Sequence, residues 1–191
     1  MQKDRLTAFS DGVIAVIITI MVLEVRPPHD VAPAALWALA PSLGIYALSF
    51  IYVGIYWTNH HHFYHLVETV DGAVLWANLN LLFWLSLIPF ATAWMGEHPA
   101  APVPTALYGV SLLASALAWW VMQRAIIRSQ GGRSALATAI GPDVKGQISP
   151  LLYLLGIGLA FIQPWLADLA YAGVAALWLV PDRRVEARLR P

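Results

Sequence analysis

The chain has 191 residues, 59% hydrophobic and only 12% charged, with a mean hydropathy of +0.65 and a formal net charge of zero. A soluble domain carries roughly twice that charged fraction, and the balanced charge offers no attraction for nucleic acid. The absence of cysteine excludes disulfides, thiolate zinc sites and cysteine nucleophiles.

Nine Trp and seven Tyr suit aromatic belts at two membrane–water interfaces, so the chain reads as an integral membrane protein of all-α class. Helices of about 17–25 apolar residues span a bilayer, and six segments qualify. They fall near 9–25, 34–56, 73–95, 105–127, 148–163 and 164–180. The last two are short, and Gln163-Pro164 between them reads as the turn of a helical hairpin. The intervening runs Arg26-Pro27-Pro28-His29-Asp30, Gly96-Glu97-His98-Pro99 and Ser129-Gln130-Gly131-Gly132-Arg133 all disfavour helix. The whole chain forms one six-span domain, closed by a basic tail at 181–191.

Positive charge orients these spans. With a cytoplasmic N-terminus, Lys3, Arg5, Arg124, Arg128, Arg133, Lys145, Arg183, Arg184, Arg188 and Arg190 all lie inside, and only Arg26 lies outside. An even number of spans therefore places both termini in the cytoplasm. The tail suits contact with anionic headgroups. Ala32-Pro33-Ala34 weakly resembles a signal-processing site, but Asp11 within the apolar stretch and Pro27-Pro28 before the site count against cleavage.

Polar residues converge at one depth. The first span opens with Arg5, Ser10 and Asp11; the second ends at Trp57-Thr58-Asn59-His60-His61-His62; the third begins with Asp71, Trp76, Asn78 and Asn80. A carboxylate at a membrane edge is costly unless paired, and imidazole, amide and guanidinium groups can pair with it. These residues predict an interhelical network fastening the first span to the second and third. Arg5 also fits a snorkelling anchor, and His61, His62 and His65 fit an interfacial cluster. A histidine run is also compatible with metal, although only His61 and His65 have the i,i+4 spacing that shares a helix face.

Beyond the cluster, Val16, Ile20 and Leu23 fall within about 60° of one another on a helix, with Thr19 about 60° from Val16. Asp11 points about 140° away from Val16. The residues alone leave this stripe open to packing, lipid contact or the lining of a conduit.

The motif Arg5-x-x-x-Phe9-Ser10-Asp11-Gly12, followed by Trp57-x-x-His60, Asn78 and Pro89-Phe90, resembles the signature of the transmembrane protein 175 family. Members are endosomal and lysosomal potassium channels and their bacterial relatives; the resemblance covers about the first half of the chain. It implies a single six-span repeat unit that assembles as a homotetramer in a bacterial plasma membrane, with helix 1 lining a central pore. It further implies a potassium-selective cation channel without enzymatic activity or bound cofactor, whose partners are the bilayer, its own copies and permeant K⁺.

The resemblance places the apolar constriction at Val16, with further rings at Ile20 and Leu23, and assigns selectivity to Thr19. Arg5, Ser10, Asp11, His60 and Asn78 correspond to the network that holds the pore helix. Val16 is smaller than the isoleucine or leucine usual at that position, so Ile20 or Leu23 competes for the narrowest point. Glu24, just past Leu23, stands either at the outer mouth, where four copies would concentrate cations, or at the interface as an ordinary carboxylate. No Thr-Val-Gly-Tyr-Gly loop is present, so a carbonyl filter is excluded; hydrophobic rings gate by dewetting, and selectivity is expected to be modest.

Two rival classes and one variant remain. A secondary transporter would usually show internal repeats and broken midplane helices, and no convincing repeat is visible. A membrane enzyme would use the histidine run with metal or haem. A proton-conducting channel is a variant of the same family reading.

Overall fold

The structure, a computed structural model, describes residues 3–131 and 143–179. Arg133, Val180 and the basic tail with Arg183, Arg184, Arg188 and Arg190 lie outside the described residues. Within these bounds the chain is all helical: α1 (Lys3–Leu23), α2 (Pro33–Ala38), α3 (Ala40–His65), α4 (Gly72–Ser86), α5 (Ile88–Glu97), α6 (Pro102–Ser129), α7 (Val144–Ala160) and α8 (Pro164–Leu179).

Proline sets several of these boundaries. Pro41 and Pro89 each occupy the first turn of a helix, where a missing N–H is tolerated. At Leu87 the backbone N–H turns back to Trp84 O at 3.2 Å, a tight turn that separates α4 from α5 without reversing the chain. The two segments together form one apolar rod, Gly72–Glu97. Lys3–Leu23, Ala40–His65 and Pro102–Ser129 are likewise long and apolar enough to cross a membrane, while α7 and α8 are apolar but shorter. The histidine run stays inside α3, which continues to His65 because nothing between Trp57 and His65 interrupts its backbone bonding.

The helices form a bundle in which α6 packs chiefly against α4 and α7, and α7 against α8. Helix α1 lies at one side, on α3, α4 and α5. Its buried stripe is Leu6, Ser10, Ile14, Ile17 and Met21, spaced by three and four residues as one helix face requires.

Tyr171 of α8 wedges the far side together. A Cβ at Gly109 on α6 or at Gly156 on α7 would collide with its ring, so both glycines are needed for that close approach. A hydroxyl cluster joins α3, α5 and α6: the Thr92 hydroxyl lies 2.7 Å from both Ile88 O and Ser49 Oγ, and Ser49 Oγ lies 3.0 Å from Tyr108 Oη. At the opposite end of α1 from the network, Arg26 pairs with Glu97 at 3.1 Å.

Candidate functional site

Ser10 is fully buried on the inner face of α1 and donates its hydroxyl proton to Leu6 O at 2.9 Å. A carbonyl only accepts, so the proton is committed there and Ser10 Oγ is left as an acceptor. Asn78 Nδ2 of α4 donates to it at 2.9 Å. That bond orients the amide and turns Asn78 Oδ1 toward His60 of α3, whose Nε2 lies 2.9 Å away and donates. Tyr64 donates to the same Oδ1 at 3.4 Å and stacks on the His60 ring with centroids 4.4 Å apart. One short chain of hydrogen bonds thus ties three helices together at one depth. The His60 Nδ1 atom is buried and has no partner among the described residues.

Asp11 takes a different partner. It is half-buried, and its Oδ1 accepts the indole N–H of Trp57 at 3.1 Å. Arg5 is exposed in the first turn and forms no ion pair with Asp11 among the described residues. The structure therefore brings Ser10, His60 and Asn78 into contact, gives Asp11 to Trp57, and leaves Arg5 apart. Asp71 instead caps α4, accepting from Val74 N at 2.9 Å. Trp57 stands with His60 in the family motif but was not paired with Asp11, and Tyr64 went unassigned, because an aromatic near a span's end reads equally well as an interface anchor. The position of Tyr64 four residues after His60 was the available signal.

The opposite face of α1 is exposed. Val16, Ile20 and Leu23 are 54%, 43% and 77% exposed on a helix whose other face is buried. Thr19 lies on the exposed side, with its hydroxyl 3.0 Å from both Ala15 O and Val16 O. Its proton is therefore held by the helix backbone, while the oxygen lone pairs remain open outward. Glu24 is exposed just beyond the helix; Arg26, two residues on, is paired with Glu97 rather than with it.

At the foot of α1 a cleft is lined by Lys3, Asp4, Thr7, Asp11, His61 and His65. His61 and His65 bring their Nε2 atoms to 3.0 Å, as the i,i+4 spacing permits. Among the described residues no group of three or more His, Cys, Asp or Glu side chains is placed to hold a metal ion.

These features define a multi-pass, all-helical membrane protein in which a polar chain holds one apolar helix at the edge of its bundle. The family described as "Endosomal/lysosomal potassium channel TMEM175" matches residues 5–89, the stretch that contains this whole constellation. A potassium channel of Chryseobacterium sp. is 50% identical over 190 residues, covering 100% of this chain and 99% of that protein. A potassium channel of Streptomyces collinus is 34% identical, over 93% and 91% of the two chains. The crystal structure of a lysosomal potassium-selective channel TMEM175 homolog from Chamaesiphon minutus superposes with a TM-score of 0.79 at 32% identity, covering 93% and 96%. The chain belongs to the TMEM175 family, a family of cation channels and not of enzymes.

Proposed function

We propose that this protein is a potassium-selective cation channel of a bacterial plasma membrane, formed by four copies whose α1 helices surround a common axis. The observation that carries this reading is the division of α1 into two faces. One is held by Ser10 and the buried stripe, and the other leaves Val16, Thr19, Ile20 and Leu23 exposed. Six spans with both termini in the cytoplasm place the Ser10–Asn78–His60 chain at the inner end of the pore and Glu24 at its outer mouth. Arg5, on the exposed side of the first turn, belongs to the inner entrance.

In this reading rings of Val16, Ile20 and Leu23 form the constriction. An apolar ring offers an ion no replacement for its hydration water, so passage requires partial dehydration and a wetted ring. K⁺ holds that water less tightly than Na⁺ and crosses more readily. Four Thr19 oxygens, with their protons held by the backbone, present lone pairs to the cation at that level. Glu24, not neutralised by Arg26, raises the local cation concentration.

The test is flux from liposomes containing the purified protein, with K⁺ and Na⁺ gradients compared and the oligomer sized in the same detergent. Passive, non-saturating K⁺ flux that exceeds Na⁺ flux, from a four-copy particle, is expected. Saturable, ion-coupled uptake would favour a transporter, and proton flux without K⁺ flux would favour the proton-conducting variant.

A further inference from the structure

A second feature lies on another face of α3. A half-open cavity sits between α3 and α7 with α6 as its floor. Tyr56 and Asn59 come from α3, Trp119 and Gln123 from α6, Ser149 from α7 and Trp178 from α8. Its inner end is closed by Tyr52 and Tyr153, whose rings lie 6.2 Å apart. The aromatic walls are held in place. Trp178 Nε1 donates to Ser149 Oγ at 2.8 Å, and Tyr56 meets Trp119 edge-on at 6.1 Å. The side-chain amides of Asn59 and Gln123 face this space and have no hydrogen-bond partner among the described residues.

The rim is basic. The Arg124 guanidinium stands 4.7 Å from the Trp120 ring centroid, and Lys145 Nζ stands 6.0 Å from that of Trp178. Arg128 follows one turn later on α6 and is exposed. Among the described lining residues the carboxylate is Asp143, which is engaged as the cap of α7, accepting from Gly146 N at 2.8 Å. An organic cation would find the Trp120 and Trp178 faces already taken by Arg124 and Lys145, and would meet their charge. A free inorganic anion would leave the apolar interior unfilled. The chemistry that satisfies every part is an amphiphile with an anionic head, hydrogen-bond acceptors below it and a hydrocarbon chain.

We infer that the cavity between α3 and α7 is a binding site for one anionic membrane phospholipid. Its phosphate lies at Arg124, its ester carbonyls face the Asn59 and Gln123 amides, and one acyl chain fills the aromatic interior. Basic pockets between membrane helices commonly recognise such headgroups. The lipid would press on Tyr56 and Asn59, which neighbour Trp57 and His60, the two α3 residues that hold α1 and α4. Lipid occupancy thereby steadies the anchor of α1, a consequence that rests on the proposed function; the binding itself does not.

Native mass spectrometry of the purified protein, exchanged into detergent with phosphatidylglycerol or phosphatidylcholine of identical chains, tests the site without measuring any flux. Retention of about one phosphatidylglycerol per protomer in preference to phosphatidylcholine is expected. Arg124→Gln should weaken retention about fivefold, the worth of one basic residue at a charged surface. Ala116→Leu, which places bulk in the cavity, should abolish it. Should that variant fail to assemble, Asn59→Leu supplies the same reading. Equal retention of the two lipids overturns the proposal. So does retention that survives the cavity-filling variant, which would reduce the contact to a headgroup on the surface. Displacement by excess inorganic phosphate overturns it as well, because a free anion would then be the ligand.

Discussion

Asn78 stands 2.9 Å from Ser10 on one side and 2.9 Å from His60 on the other, so one amide carries the contact between three helices. Each end of that amide is dictated by its neighbour: the carbonyl of Leu6 takes the serine proton, the serine takes an amide proton, and the imidazole N–H takes the amide oxygen. A chain with a single consistent direction locks helix rotation as well as distance.

Ser10→Ala leaves the Asn78 N–H₂ unpaired in a buried position and is expected to destabilise the folded protein by about 1 kcal/mol. Asn78→Leu strands both His60 and Ser10 and should cost more. The double variant should cost less than the sum of the two, because both break one chain. Trp57→Phe should be milder than either, since Asp11 is only half-buried and can turn to water. Thermal unfolding in detergent reads all four. Strict additivity of Ser10→Ala and Asn78→Leu would show that the three helices are not coupled through this amide.

Much of this anchor was legible because a serine, a histidine and an asparagine stand out in apolar runs, and membrane burial demands partners for them. Pairing was harder to read. Trp57 looks like an interface anchor until its indole is found 3.1 Å from Asp11. The cluster of Ser49, Thr92 and Tyr108 was not legible. Hydroxyls inside helices can satisfy themselves on the carbonyl four residues back, as Ser49 and Thr92 both do, so their presence does not reveal a partner on another helix. The same holds for Gly109, since a glycine marks room for something without naming Tyr171 as its occupant.

The Tyr171 slot separates two glycines of the same helix. Gly156→Ala puts a methyl group against the Tyr171 ring and is expected to cost about 1–3 kcal/mol, the usual range for overpacking. Gly158→Ala, two residues along α7, meets nothing within 4 Å and should stabilise that helix by about 0.5–1 kcal/mol. Opposite signs in thermal unfolding are the expected result. Destabilisation by both would mean that helix contacts other than the slot govern α7.

Thr19 presents an oxygen whose proton is held by backbone carbonyls at 3.0 Å. Thr19→Val keeps the shape and removes the oxygen. If that oxygen supports K⁺ by the worth of an ordinary hydrogen bond, the K⁺/Na⁺ permeability ratio should fall about twofold to tenfold. Thr19→Ser, which keeps the oxygen, should preserve the ratio. Reversal potentials under bi-ionic conditions measure it, and a ratio unmoved by Thr19→Val would remove the hydroxyl from the selectivity mechanism.

The three apolar positions on the exposed face of α1 are distinguishable by size and by the water they exclude. Ile20→Asn replaces a branched ring with amides that hold water, so dewetting should fail there and single-channel conductance should rise. Val16→Asn should raise conductance less if Ile20 is the narrower ring, because four valines leave a wider opening than four isoleucines. Val16→Leu should then lower conductance by adding a second tight ring one turn nearer the cytoplasm. The order of these three effects ranks the rings. If Val16→Asn proves the strongest, the constriction lies at Val16 despite its smaller side chain. If all three leave conductance unchanged, this face of α1 does not border the ion path, and it must meet lipid or a neighbouring helix instead.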